Sequence, residues 1–513
     1  MPWIFSTLSG LMLILIFPRF NLEFLAWFAL VPLFFAIQDQ PLPRTSLYGF
    51  WTGIIFYFFG LHWVTNTLVN YGNIPTILSY GVLLLLAAYL SLFLALFCYL
   101  VQRLARGNSL YFFLLAPPAW TAMEYLRSTH PEYGFSWLGL GYSQFKNLPV
   151  IQMAEFTGVY GISTLIVLVN AGIYFLLRAW IADGKTDVPK SQRVRVLTLT
   201  VLVLALWLGY GTAALNGLTQ NQPGAPQFRV GLAQGNIAQG IKWNPLFRNQ
   251  VMKTYRDLTL KAAQSHPDLV VWPEAAIPFY FPSDQKESGA LREMVRTTGT
   301  PLLLGSPYRE VLDGKSVYFN SAFLVDAAGK ILGRYDKIHL VPFGEYVPFQ
   351  NILWFINKLV VGIGDFGRGT HPTVFHLKDR RFGVSICYEI TFPDLVRQPV
   401  KNGAEFLVNI TNDAWFGRSA ASYQHISMAA LRAVENRVPI VRAANTGISG
   451  TIGPSGKIRR TTKLYEEDLV LTEISPKTSR PTYYSRYGDV FSYACILLTG
   501  ILAVLARFSN KPS

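Results

Sequence analysis

Charge is scarce in this chain of 513 residues: only 15% are Asp, Glu, Lys or Arg, against about a quarter in ordinary soluble domains. With 51% hydrophobic residues, gathered in the first 217 positions and the last 25, a uniformly soluble protein is excluded. Cysteine is scarcer still. Three thiols, Cys98, Cys387 and Cys495, make no disulfide framework, and Cys98 and Cys495 fall inside apolar runs where a small thiol is ordinary. The seven histidines form no HExxH pattern and the cysteines no paired spacing, so the familiar zinc motifs are excluded and no cofactor is implied. There is no P-loop. The stretch VGIGDFGRG has glycines without the Walker or dinucleotide pattern and reads as a flexible loop. No basic n-region precedes the first apolar run, which leads at once into a second, so it reads as a retained helix and not as a cleaved signal. No internal repeat or low-complexity tract appears.

What is present begins with long apolar runs. A run of about 20 residues crosses a bilayer core, and shorter ones need tilt or thinning. Spans are expected near 3–18, 21–38, 47–69, 77–101, 110–126, 153–177, 196–217 and 490–506, eight in all. The first two are split by Pro18 and Arg19, and the fifth carries Pro117, Pro118 and Glu124. Forty-five basic residues against 30 acidic give +15. In such a chain this excess is read as fixing topology and meeting anionic headgroups, not as a nucleic-acid footprint. Arg44, Arg103, Arg106, Arg178, Lys185, Lys190, Arg193, Arg195, Arg507 and Lys511 lie on one set of connections and ends; Arg19, Arg127 and Lys146 lie on the alternate set. This asymmetry puts both termini in the cytoplasm and the large segment before the last span on the other side, the periplasm of a bacterium with two membranes.

The expected organisation is a transmembrane domain of seven helices over 1–217, a linker over 218–226, a soluble domain over 227–475, an interfacial linker over 476–489, and an eighth helix with a cytoplasmic tail over 490–513. Within 227–475, short buried runs such as FRVGLAQ, DLVVWPE, PLLLGSP, RFGVSICYE and EFLVNIT alternate with amphipathic stretches. That pattern predicts an α/β layered domain with helices covering its sheets. The Tyr and Arg content of PKTSRPTYYSRYGD suits a collar at headgroup depth.

Three segments carry chemistry-bearing residues at strand ends or in the loops that follow, where such folds place their sites. FGVSICYEITFPD puts Cys387, followed by Tyr388 and Glu389, at the end of a buried run. A sharp exit there presents a nucleophile above a sheet; an inert core thiol is the plainer alternative. LVVWPEAAIP ends another run in Glu274, a candidate general base whose alternative is a salt-bridged or capping carboxylate. GRYDKIHLVPFGEYVPF offers Arg334, Asp336, Lys337, His339, Glu345 and Tyr346. Lys337 is a fixed cation for an oxyanion, and it also lowers a thiol's pKa. Glu345 is a second carboxylate, steadying Lys337 or anchoring its loop. Base, nucleophile and oxyanion partner together define acyl transfer through a thiol. His339 and His425 are the imidazoles for the competing Cys-His arrangement.

These segments resemble the Glu-Lys-Cys motifs of the nitrilase, or carbon-nitrogen hydrolase, superfamily. The whole chain, with spans on both sides of such a domain, resembles the family of bacterial apolipoprotein N-acyltransferases. The resemblance implies an α-β-β-α sandwich beside the eight transmembrane helices. It makes Glu274 the general base, Lys337 the oxyanion stabiliser, Cys387 the nucleophile and Glu345 an additional essential carboxylate, with Tyr388 and Glu389 in support. It further implies a ping-pong reaction: Cys387 takes an acyl chain from a phospholipid, phosphatidylethanolamine, and gives it to the α-amino group of a diacylglyceryl-modified apolipoprotein. A monomer in a Gram-negative inner membrane is expected. The apolar segment FQNILWFINKLVVGIGDF, with Trp354 and Phe355, is read either as a lid lining acyl-chain entry or as a packed amphipathic helix. In TNDAWFGRSA, Trp415 and Phe416 are candidates for an aromatic wall and Arg418 for a phosphate contact. The alternatives are a membrane-bound amidase acting on small amides, and a lipid transporter or binding scaffold, for which Glu124 is the hint.

Overall fold

The computed structural model describes residues 1–105, 108–130, 134–181, 188–220, 227–346, 366–476 and 481–508. It divides into two compact units, Met1–Thr65 with Pro75–Gly217 and Tyr487–Ser513, and Asn66–Ile74 with Leu218–Arg486.

The first unit is helical because its apolar runs leave backbone groups no partner but their own ladder. Among the described residues, Thr76–Ala105, Ala154–Ile181 and Lys190–Leu218 are long and apolar enough to cross a membrane. A fourth span results if Leu42–Gly60 and Trp63–Asn70, bent by 56° at their break, count as one. The remaining expected spans are helices that are shorter or less apolar. Pro2–Leu15 has 14 residues, about 21 Å at 1.5 Å per residue against a core of about 30 Å. Residues 21–38 divide into a 3-10 turn, Glu23–Trp27, and a helix, Val31–Ile37. Ser109–Thr129 keeps Pro117 and Pro118 inside one helix, and Val490–Phe508 is the last. The helix expected to end at 217 continues to Gln220, into the expected linker.

Neutral polar groups tie this unit together. Asn170 donates to Ala26 O and accepts from Leu30 N–H, and Ser9 donates to Ala29 O. Glu124 accepts from Trp120 Nε1, Leu140 N–H and Ser163 Oγ at 2.9, 2.9 and 2.6 Å. Its carboxylate is therefore a buried, hydrogen-bonded cross-link.

Among the described residues, the second unit contains twelve strands: β1 (Phe228–Gln234), β2 (Leu269–Val271), β3 (Leu302–Leu312), β4 (Lys315–Val325), β5 (Ile331–Asp336), β6 (Val374–Leu377), β7 (Arg380–Ile386), β8 (Phe406–Thr411), β9 (Ile440–Ala444), β10 (Gly450–Ile452), β11 (Ile458–Arg459) and β12 (Asp468–Ile474). They form two six-stranded sheets, ordered β12-β1-β2-β3-β4-β5 and β11-β10-β9-β8-β7-β6. Each has a parallel centre, β1-β2-β3 or β7-β8-β9, with antiparallel neighbours outside. The sheets face one another, with Phe228 of β1 5.1 Å from Phe406 of β8 and Phe406 5.0 Å from Phe382 of β7. Helices Arg248–Ala263 and Gln285–Thr298 cover the first sheet through Val251, Tyr255, Leu258, Leu291 and Val295. Pro393–Lys401 and Ala421–Asn436 belong with the second. This is the α-β-β-α layering the family resemblance implies, and it agrees with the α/β alternation of the sequence. Ligands of open parallel sheets gather at the carboxyl ends of the strands, which are the ends of β2, β7 and β8 here.

The expected collar at 476–489 is in part core. Tyr484 is fully buried, and Thr482 and Ser485 bond to Glu435 O and Asn436 Oδ1, whereas Tyr483 and Tyr487 are exposed.

Candidate active site

Glu274 follows β2, where Pro273 has no N–H to continue the ladder. Lys337 follows β5 and Cys387 follows β7. All three are buried, and Glu345 with them; Lys337 is only 1% exposed. Lys337 Nζ stands 3.5 Å from Glu274 Oε1 and 2.9 Å from Glu345 Oε2. Asn320 Nδ2, from β4, donates to Glu274 Oε1 and Glu345 Oε1 at 2.8 Å each. The second oxygen of Glu274 accepts from Asn412 N–H at 2.8 Å, and that of Glu345 from Val341 N–H at 2.9 Å. Two carboxylates and one ammonium therefore form a closed, hydrogen-bonded set. A buried ion pair requires that degree of satisfaction.

Cys387 opens the 3-10 turn Cys387–Thr391. Its φ is +53°, the left-handed region that a side chain disfavours by about 1–3 kcal/mol and that commonly marks a functional turn. Glu389 secures the turn. Its Oε2 accepts from Ile386 N–H at 2.7 Å, and its Oε1 from Ile338 N–H and His339 N–H at 2.7 and 3.1 Å; Tyr335 OH donates to the same carboxylate. One side chain thus fastens the turn after β7 to the loop after Lys337. Tyr388 is buried, with its ring 4.9 Å from Phe392.

Burial first, and the Glu274 carboxylate next, push the Cys387 thiol well above its ordinary pKa; Lys337 and a hydrogen bond with Thr411 pull the other way. The resting thiol is protonated, so a base must take its proton as it attacks. Lys337 is held above its ordinary value: burial opposes the cation, but Glu345 and then Glu274 outweigh it. Burial raises Glu389 to about 7.

Other expected residues lie differently. His339 packs its ring 3.7 Å from Phe392, and burial, Arg368 and Lys337 lower it to about 4. His425 meets the Cys387 backbone: its Nε2 lies 3.2 Å from Cys387 O. The ring of His425 thus meets the nucleophile's carbonyl, and that of His339 lies against Phe392. Arg334 pairs with Asp336 and Glu310 at 3.0 and 3.3 Å and covers the Tyr308 ring at 4.0 Å, while Ser321 bonds Asp336. These two are loop and strand supports. Tyr346 carries the Arg368 guanidinium over its ring at 4.9 Å. Trp415 is half-buried with its ring 4.9 Å from Tyr71, and its carbonyl accepts from Asn66 and Thr67. Phe416 lies 6.0 Å from His425, and exposed Arg418 lies over Tyr465. Trp354 and Phe355, with all of the segment read as a lid except its last residue, Phe366, fall outside the described residues.

The motifs did not reveal Asn320, Asn412 or Lys242. Lys242 is fully buried, donates to Glu274 O at 3.1 Å, and is lowered by burial to about 8, with Glu274 and Cys387 opposing that shift. The sequence signal for Lys242 is a lysine in the strand-following segment GNIAQGIKW, and nothing local marks it as buried. Among the described residues, no group of three or more His, Cys, Asp or Glu side chains is placed to hold a metal.

Two family models match. One, described as the apolipoprotein N-acyltransferase N-terminal domain, covers residues 9–172, and the other, carbon-nitrogen hydrolase, covers residues 229–484. Apolipoprotein N-acyltransferase of Geobacter metallireducens is 43% identical over 98% of this chain and 95% of its own length. Proteins of the same name from Methylococcus capsulatus and Pasteurella multocida are 32% and 31% identical, over 94% and 96% of this chain and 91% and 92% of theirs.

Proposed function

The chain belongs to the apolipoprotein N-acyltransferase family, and from that premise we propose that Cys387 carries an acyl chain, as a thioester, from a phospholipid to the α-amino group of an S-diacylglyceryl cysteine. The protein is an acyltransferase of lipoprotein biosynthesis, with a nitrilase-like catalytic unit. The observation that carries the detailed reading is the Glu274–Lys337–Glu345 set, with the strained Cys387 turn fastened to the Lys337 loop through Glu389.

In the first half-reaction Glu274 accepts the thiol proton as sulfur attacks the ester carbonyl, and Lys337 faces the developing oxyanion. Collapse breaks the acyl C–O bond. The lysophospholipid alkoxide takes the proton back from Glu274 and leaves. In the second half-reaction the neutral amine attacks the thioester, Glu274 accepts its proton, and collapse breaks the C–S bond, returning that proton to the thiolate. Glu345 and Asn320 keep Lys337 and Glu274 apart yet in register, so neither pairs too tightly to act. Tyr388 and Glu389 support the nucleophile's turn.

We further propose phosphatidylethanolamine as donor, a monomer as the working state, eight spans in all with the shorter helices completing the count, both termini in the cytoplasm and the catalytic unit in the periplasm. Two membrane-anchored substrates meet more often when the enzyme shares their plane, since the search loses a dimension. Transfer of label from the phospholipid acyl chain to a lipopeptide amine tests the reaction. Hydrolysis of small amides without lipid transfer would replace this reading with an amidase. A reporter fused at residue 300 is expected to be active only outside the cytoplasm, and cytoplasmic activity overturns the topology.

A further inference from the structure

Behind the nucleophile lies a buried polar network that the proposed chemistry does not use. His425, on the helix Ala421–Asn436, is fully buried. Its Nε2 is 3.2 Å from Cys387 O, and its Nδ1 is 3.0 Å from Arg442 Nη2 and 3.2 Å from Asp413 Oδ1. A carbonyl oxygen only accepts, so Nε2 must carry the proton. Nδ1 lies between a donor, Arg442, and an acceptor, Asp413 Oδ1; the nearer contact, to an arginine that only donates, favours a bare Nδ1 that accepts from it. Burial first, then the Arg442 cation, hold the ring below its ordinary pKa, which agrees with a neutral imidazole. Arg442 in turn donates to both Asp413 oxygens at 3.2 and 3.0 Å and to Asn409 Oδ1. Asn409 Nδ2 donates to Ser385 O and Oγ at 3.1 Å, gripping β7 two residues before the nucleophile. Thr411 Oγ1 donates to Asp413 at 2.9 Å. The next residue back from Asp413 is Asn412, whose N–H holds Glu274. Gly447 leaves the room this needs, since a Cβ there would stand 2.3 Å from Asp413 Oδ2.

We propose that His425 is a positioning residue of acyl transfer: its Nε2–H holds the Cys387 carbonyl, and with it the left-handed backbone that aims the thiol, while Arg442, itself held by Asp413, donates to Nδ1 and favours the tautomer that carries its proton on Nε2. The proposal rests on Cys387 as the nucleophile. The same network reaches Glu274 through Asn412, so it sets thiol and base relative to one another. His425 touches no substrate. Its loss should slow acylation without weakening phospholipid binding, by up to about a hundredfold, the scale of an ångström's misplacement.

The test compares His425→Met, similar in bulk but without a donor, with His425→Gln, which restores an amide donor. Acyl-adduct formation from phosphatidylethanolamine in micelles is followed by intact mass on the full chain, with KM and thermal stability beside it. The wild type's own adduct reports on the nucleophile assignment, and the ratio of variant to wild type reports on His425, so the two fail separately. The expected result is a tens-fold slower acylation in the Met variant at unchanged KM, with substantial recovery in the Gln variant. Met acylating within twofold of wild type, or Gln no faster than Met, overturns the proposal. A second measurement needs no variant to fold well: the side-chain nitrogens of histidine-labelled wild type should show one ring with Nε2 protonated and Nδ1 bare, hydrogen-bonded on both sides. A His425 ring protonated on Nδ1 contradicts it.

Discussion

The helical unit and the catalytic unit both bury charged side chains, but they satisfy them in opposite ways. In the helical unit Glu124 is held by an indole, a backbone amide and a hydroxyl, and Arg127 donates to the carbonyls of Phe135 and Trp137. Neutral partners meet both of these charges. In the catalytic unit Lys337 faces Glu274 and Glu345, Arg442 faces Asp413, and Arg432 faces Glu435, all within 3.5 Å. Removing one member of such a pair leaves the other buried and uncompensated. A neutral clamp tolerates loss of charge because its donors need only an acceptor. Burial of charge alone therefore does not single out the proposed site in this molecule; burial of charge against charge at the ends of parallel strands does.

Substitutions can break or sharpen that contrast. The largest loss is expected for Glu274→Gln, which keeps shape but removes the base: transfer should fall by about 10²–10⁴-fold, read as label passed to a lipopeptide. Lys337→Met comes next, with a loss of about 10²–10³-fold, because the oxyanion loses its cation and two carboxylates face each other without it. Either variant retaining most of its activity would detach the ion set from the chemistry.

Glu389 gives a smaller effect of different kind. Burial raises its folded pKa to about 7 from an ordinary 4.5, so between those values the folded state holds a proton the unfolded chain has released. Stability from this group is then present at low pH and is lost as pH rises toward 7, by up to about 1.4 kcal/mol per pH unit. Thermal unfolding of the wild type should decline over that window relative to Glu389→Gln, and parallel curves would refute the linkage.

The smallest effect on activity is expected for Glu124→Gln, with transfer within about twofold of wild type and stability lower by about 1–3 kcal/mol. A folded Glu124→Gln protein without transfer activity would erase the distinction between the two units.

Much of the site was legible because its residues stand where strand-like runs stop. Glu274 and Cys387 end LVVWPE and FGVSIC, and a polar residue after four or five buried ones has few dull explanations. Asn320, Asn409 and Arg442 escaped notice because they lie within strands β4, β8 and β9, where one polar residue in an apolar run reads as an edge or solvent-facing position. Their partners at the site come from 17 to 46 positions away, as with Arg442 and His425 or Asn320 and Glu274, and no local pattern encodes that meeting. The helical unit was legible as helices but not in their lengths. Apolar runs are continuous across 3–18 and 47–69, whereas the backbone ends at Leu15 in the first and bends by 56° in the second. Hydropathy reports the solvent, and it leaves the breaks to prolines, glycines and packing.

The most direct test of the central claim is the mass of the enzyme itself. Full-length protein incubated with phosphatidylethanolamine and no acceptor should gain one acyl chain, mapped to the peptide containing Cys387, and should lose it on addition of a lipopeptide with a free α-amino group. Active protein that shows no adduct on Cys387, or an adduct that the amine cannot discharge, would contradict the account.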